Sequence, residues 1–292
     1  MPGRPRPASR RSPQRITMAV LDLPRQAAPH PVSWRRLRPV LAGLRDFAIA
    51  LALPAVILIL WAIGSAYQLV PQQILPPPVY VWENFRDMLA SGELLQHASI
   101  SAARVAGGFV LGASLGLLLG IAMGLSEKVD DYVRPLFTAI AQVPTLGWIP
   151  LLMLFLGIGE ALKIVIIAKA ALVPMVLNTS AGIRGVSKAY LEVADVFAFT
   201  RWQKLRRLIL PAAVPPIFTG IRYSLTKAWT ALVAVELLAS AEGLGYLLVW
   251  GRQMFWLDTM IVAMVIIGLV GFAMDKLLAL VEARLQSWRI DA

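Results

Sequence analysis

The chain contains no cysteine and only two histidines, His30 and His97. No disulfide, thiolate metal site or cysteine nucleophile is available to it. Two imidazoles do not make a multi-histidine metal centre, so no metal site is expected. Charge is also scarce. Asp, Glu, Lys and Arg make up 15% of the 292 residues, and acids are the minority, 17 against 28 Lys+Arg, for a net charge of +11. Soluble domains run about 25% charged and about 45–50% apolar. Here 58% of residues are hydrophobic and mean hydropathy is +0.68. These values exclude an ordinary soluble domain, a disordered chain and a fibrous one, and fit a multispanning membrane protein.

The apolar residues fall in six stretches, at 47–66, 103–125, 136–157, 162–181, 216–239 and 259–280. Each is close to the ~20 residues that cross a bilayer as helix. They do not alternate in polarity over about ten residues, as barrel strands would. The predicted fold is therefore all-α, a polytopic membrane helix bundle of about six transmembrane helices. Arg222 and Lys227 move the expected start of the fifth crossing to near Ala228.

Residues 1–45 form a separate arm with ten Arg, no Lys and eight Pro. Mutual repulsion and helix interruption predict disorder. Arg10-Arg11 is not followed closely by an apolar run, so no export signal is read there. The arm is either a tail for anionic lipid or a partner, or a topology anchor. Residues 46–99 are read as the first span and an external loop, and 100–292 as the core domain.

Basic residues divide unevenly between the two sides. The arm, the loops at 126–135 and 182–215 and the tail after 280 hold twenty, against Arg86 and Arg252 opposite. Both termini are thus expected in the cytoplasm, and the positive charge needs no nucleic acid to explain it. Arg104 and Lys276 are read as span-end residues. In the external loop, 75-LPPP-78 is stiff, and Val81, Phe85, Met88 and Leu89 recur at helical spacing. This predicts a short amphipathic helix on the outer interface with Trp82 at headgroup level.

Several features carry mechanism. Gly108, Gly112, Gly116, Gly120 and Gly124 repeat every four residues along the second span, leaving one face almost bare for another helix to approach. Such a seam is either a static contact or a sliding one. Pro144, Gly147 and Pro150 in 142-QVPTLGWIP-150 predict a kinked or unwound third span. Gln142 and Thr145 at the same level suggest a pathway wall. Lys169 and Glu236 lie within apolar runs. Lys169 would draw an anion through a water-filled pathway, or else snorkel or pair with Glu236 or Glu160. Lys163 is read as interfacial.

The cytoplasmic loop is a predicted helix–turn–helix. Ser187 caps a helix through Tyr190, Leu191, Ala194 and Val196. Thr200 and Gln203 form a capping box for a second helix that ends near 208-LILP-211. Phe197, Phe199 and Trp202 with their basic fringe have the composition of a protein-docking hot spot. They would otherwise pack the loop onto its own spans.

Glu192-Val193-Ala194, Ala198 and 208-LILP-211 resemble the EAA loop of permease subunits of bacterial ATP-binding-cassette importers, E-A-A, three residues, G, nine residues, I-x-L-P. The stretches 104-RVAGGFVLGASLG-116, 143-VPTLGWIPLLMLFLGIGE-160, 219-TGIRYSLTKAWTALVAVELL-238 and 243-GLGYLL-248 resemble the nitrate/sulfonate/taurine branch. The resemblance spans about residues 70–290. Ala198 stands for the usual Gly, which suggests a differently built turn. Val193 is bulkier than the family Ala, and Leu208 replaces Ile.

The resemblance implies a type I importer (MetI-like) permease fold in a bacterial inner membrane. It implies a second permease copy, a homodimer being expected, two ATPase subunits and an extracytoplasmic substrate-binding protein. It also assigns Glu192, Val193, Ala194, Ala198, Thr200, Trp202, Leu210 and Pro211 to ATPase coupling. The chain has no phosphate loop, so it is expected to hold no cofactor and catalyse no reaction, with ATP and Mg on the partner. The pathway would be lined from among Gln142, Pro144, Lys169 and Glu236. Two rivals make different demands. A secondary, ion-gradient-driven transporter needs acidic or histidine relays within its spans. An intramembrane enzyme needs a nucleophile–base pair.

Overall fold

The computed structural model describes residues 37–285, and among these it contains eleven α-helices and no strand. The arm up to residue 36 and the tail from 286 lie outside the described residues. The chain divides into two compact units between Val56 and Ile57, and the packing and sites described below lie within the second. Helix α1 (Leu37–Ala66) begins inside the arm that composition alone marks as disordered. Leu37, Val40, Leu41 and Leu44 supply helical spacing there, and Pro39 falls in the first turn, where its missing N–H costs little.

Three described helices are long and apolar enough to cross a membrane: α3 (Glu93–Leu125), the helix Arg201–Ala239 and α11 (Leu257–Leu285). A fourth crossing exists if α4 (Glu127–Gln142) and the segment Thr145–Leu156 count as one broken span, since they meet at 91°. The break falls where Pro144, Gly147 and Pro150 predict it. Helix α4 stops at Gln142, a 3₁₀ turn occupies Thr145–Trp148, and α5 (Ile149–Leu156) restarts with Pro150 in its first turn. Of the other two expected crossings, 47–66 lies within α1, whose apolar part is short, Leu51–Ala66. The stretch at 162–181 lies within α6 (Glu160–Arg184), which is helical but is the enclosed axis of the bundle.

Leu162, Ile166, Ile167, Ala171, Met175 and Val176 of α6 are almost fully buried. On one side α6 meets the glycine ridge of α3. A Cβ at Gly108 would stand 2.6 Å from Ile167 Cβ, at Gly116 2.8 Å from Met175 Cβ, at Gly120 2.7 Å from Thr179 Cβ and at Gly124 2.8 Å from Ile183 Cβ. At Gly112 it would strike the Ala168 carbonyl. Five bare positions at one-turn intervals let the two backbones approach over more than four turns. On the other side α6 packs on α9 (Leu210–Ala239), where Gly182 abuts Pro216 and Gly220 abuts Asn178.

Helix α9 extends well before Ala228, the expected start of the fifth crossing. It runs unbroken from Leu210, and Arg222 is accommodated by a bidentate ion pair with Asp275 of α11, at 2.6 and 2.8 Å. The short helix after 75-LPPP-78 is α2 (Pro78–Ala90). Its Val81, Phe85 and Met88 pack against Leu94, Leu247 and Val262, so this face is covered by protein rather than by an interface. Trp82 remains exposed. Helix α10 (Leu244–Gln253) fills most of the remaining loop, and its Tyr246 stacks between His97 and Trp250.

Candidate functional site

The loop after α6 is two short helical arms. Helix α7 (Lys188–Val196) starts after Ser187, which takes the cap position but makes no side-chain cap bond. Its far end closes as a Schellman motif. The Ala198 amide donates to Asp195 O and the Phe199 amide to Ala194 O, both at 2.9 Å, with Ala198 at φ 53°. The turn is therefore built as a glycine would build it, contrary to the expectation of a different turn. Ala198 occupies the left-handed conformation itself, at a cost of about 1–2 kcal/mol.

The second arm opens with the expected capping box. Gln203 N donates to Thr200 Oγ1 at 3.3 Å, and Thr200 N to Gln203 Oε1 at 2.8 Å. The arm does not end at Pro211. Helix α8 (Arg201–Lys204) passes through a π-helical turn at Leu205–Ile209 directly into α9. Pro211 explains the widened turn. It has no N–H to give to Arg207, and its ring crowds that carbonyl. The preceding Leu210 amide instead reaches back five residues to Leu205 O. The proline thus marks a change of helical pitch.

The Lys204 ammonium pairs with Asp195 and links the two arms. Arg207 lies 6.0 Å over the Phe199 ring, which turns Phe199 inward instead of presenting it. Ala194 is 5% exposed and seats α7, while Phe197 and Trp202 are 71% and 65% exposed. Glu192, Val193 and Tyr190 also face outward. A rigid two-armed projection with an aliphatic and aromatic face and a basic edge suits docking to another protein.

A cavity of about 480 Å³ opens where the broken α4–α5 segment meets α6 and α9. Pro144, Thr145, Lys169, Val173, Lys227 and Thr230 are among its lining residues. Lys169 Nζ donates to Val143 O at 3.0 Å and lies 5.1 Å from the centre of the Trp148 ring. It pairs with neither Glu236 nor Glu160. Pro144 lines the cavity, but Gln142 is exposed outside the lining and Glu236 is not among the lining residues. Lys227 was read only as a mark of where the fifth span begins, yet it is the second cation of the lining.

Glu236 sits in a different construction, where α3 and α6 begin and α9 finishes. Its carboxylate accepts Ser101 Oγ at 2.9 Å, Arg104 Nη1 at 2.8 Å and the Gly245 amide at 3.0 Å. Arg104 also grips Glu160 with Nε and Nη2, at 2.8 and 2.6 Å, and reaches Glu242 O at 2.8 Å. Lys163 Nζ completes the cluster 2.7 Å from Glu160. Arg104 and Lys163 are 4% and 5% exposed, so both are enclosed by protein at this end of the bundle. Gly243, at φ 108°, curls the connection so closely over Glu236 that a side chain there would collide with the carboxylate.

A close-packed bundle of apolar, membrane-length helices with an open cavity and a projecting two-helix loop is the architecture of a membrane-embedded helical protein. Residues 112–287 match the family described as the binding-protein-dependent transport system inner membrane component. The putative aliphatic sulfonates transport permease SsuC of Bacillus subtilis is 40% identical over 239 residues, 82% of this chain and 87% of that one. The taurine transport system permease TauC of Escherichia coli is 30% identical over 249 residues, 84% and 90% of the two chains. The nitrate import permease NrtB of Synechocystis is 33% identical over 183 residues, 63% and 66%. The chain belongs to this family of inner-membrane permeases.

Proposed function

We propose that this chain is the permease subunit of an ATP-binding-cassette importer that brings a small solute of the sulfonate, taurine or nitrate kind into the cytoplasm. Two copies form the pathway, two ATPases dock on the loops at 187–211, and a soluble receptor delivers solute from outside. ATP and Mg are held by the ATPases. The excess of basic residues in the arm, the loops at 126–135 and 182–215 and the tail supports a cytoplasmic position for these, with both termini inside.

The observation that carries the mechanism is the continuity of the helix Arg201–Ala239. A partner that moves Trp202 moves the same helix that bears Lys227 and Thr230 in the cavity wall. No flexible joint intervenes, only the π turn. Nucleotide-driven closure of two ATPases would then be transmitted as a rigid-body displacement of α9, which opens the pathway to alternate sides. The glycine seam allows α3 either to travel with α6 or to slide on it. An ion-driven carrier fits less well. Glu236, the central acid such a carrier would protonate and release, is locked by three donors at the rim of the bundle.

The test is Glu192→Lys in the reconstituted complex of permease, ATPase and receptor. Glu192 is exposed on the docking arm and makes no contact that holds the fold. Reversal of its charge is expected to leave insertion intact and reduce receptor-stimulated ATP hydrolysis and uptake together, by about tenfold or more. Unchanged coupling rejects the docking assignment.

A further inference from the structure

The cavity beside the broken segment has two cations and no anion. Lys169 and Lys227 both line it, the lining contains no carboxylate, and among the described residues neither lysine enters an ion pair. Lys169 is held in place by the Val143 carbonyl and the Trp148 ring, so its ammonium is already positioned. Thr145 and Thr230 contribute hydroxyl-bearing side chains, and the rest of the lining is aliphatic. Lys169 is half-buried and Lys227 exposed, and two like charges facing one mostly apolar hollow favour an anion between them. The volume, about 480 Å³, is that of a small-molecule site, which runs about 300–1,000 Å³.

From this juxtaposition we propose that the cavity between Lys169 and Lys227 is an anion-binding station on the transport path. It takes a compact oxyanion head with a short apolar tail, as in an alkanesulfonate, in preference to a zwitterion such as taurine. The head neutralises the two ammonium groups, and the aliphatic wall receives the tail. A zwitterion would bring its own ammonium into a space with two cations and no carboxylate to pair it. The proposal rests on the importer reading but sharpens it to one substrate class and one site.

The absence of native cysteine allows a direct test, because Thr230→Cys would introduce the sole thiol. The full-length chain carrying this substitution is placed in lipid vesicles without receptor or ATPase. It is then exposed to anionic sulfonatoethyl methanethiosulfonate and to its cationic trimethylammonium counterpart. Relative to a surface cysteine, the anionic reagent should react about tenfold faster than the cationic one. Lys169→Gln with Lys227→Gln should abolish the preference, and Lys169→Arg with Lys227→Arg should keep it. Millimolar ethanesulfonate should slow the reaction severalfold, while taurine and dimethyl sulfone should not.

Equal rates for the two reagents, reaction with neither, a preference that survives the double glutamine variant, or protection by taurine equal to that by ethanesulfonate would each overturn the proposal. Because this readout involves no ATPase, it is separable from the coupling test. Normal coupling in Glu192→Lys would reject the docking assignment while leaving the anion site standing.

Discussion

The Arg104 end of this helix bundle and the rest of it treat polar groups differently. Where α3 and α6 begin and α9 finishes, the buried cations Arg104 and Lys163 are matched by Glu160 and Glu236, and Arg104 alone joins Glu160, Glu236 and a backbone carbonyl. Away from that cluster, in the loop at 187–211 and in the middle of the bundle, the chain keeps features that cost free energy: a left-handed alanine, a π turn, a span broken at 91° and two cations in one cavity. Matched charge fixes helices to one another, and unmatched charge or strain leaves them ready for a ligand or a motion. The Arg104 end reads as the fixed point of the bundle and the rest as its working part.

The largest effect should come from breaking the matched end. Arg104→Ala leaves the fully buried Glu236 carboxylate without its cation, and removing one partner of a buried pair costs about 3–5 kcal/mol. Thermal unfolding in detergent should show a drop of several degrees or outright failure to fold. Lys169→Ala, which breaks no ion pair, should shift stability by no more than about 1 kcal/mol. Similar losses for the two variants would erase the distinction between the two regions.

The glycine seam should respond at an intermediate level. Gly112→Leu drives a side chain into the Ala168 backbone, where neither helix can yield without separating from the other. Overpacking of this kind costs about 1–3 kcal/mol, more where backbone must move. The measurement is again the unfolding midpoint, with uptake in the reconstituted complex as the second readout. A variant that is stable but inactive would show that α3 and α6 must slide. A variant weakened in both would mark the contact as static.

Much of this division was legible in the sequence, and the unread part has a common cause. The glycine ridge, the Pro-Gly-Pro break and the Thr200–Gln203 box are local patterns whose partners lie within a turn or two. Arg104, Glu160 and Glu236 are separated by 56 and 132 positions from one another's contacts. Nothing in a one-dimensional pattern pairs them, so Arg104 read as a span end and Glu236 as a pathway acid. Lys227 reads only as a mark of where the fifth crossing begins for a similar reason, because the cavity it lines is walled by α4 and α6 as well as by its own helix. That reading came from treating Arg222 and Lys227 as barriers to burial. Asp275 answers the first, and the cavity receives the second. Pro211 was taken as a helix stop, but a π turn absorbs the lost hydrogen bond and the helix continues.

The smallest effect, and the finest probe of the working part, is Ala198→Gly. Ala198 already makes the Schellman turn at φ 53°, so glycine adds no contact and removes only the steric cost of the left-handed state. Part of the gain returns to the unfolded chain, which glycine makes more flexible. The net stabilisation of the turn should be about 1 kcal/mol. That corresponds to roughly fivefold slower exchange of the Phe199 amide, which donates to Ala194 O. The unfolding midpoint of the whole chain should barely move, because the turn opens locally without disturbing the Arg104 cluster. If exchange at Phe199 is unchanged, the loop carries no strain at this position, and the contrast between the two regions then rests on the cavity and the broken span alone.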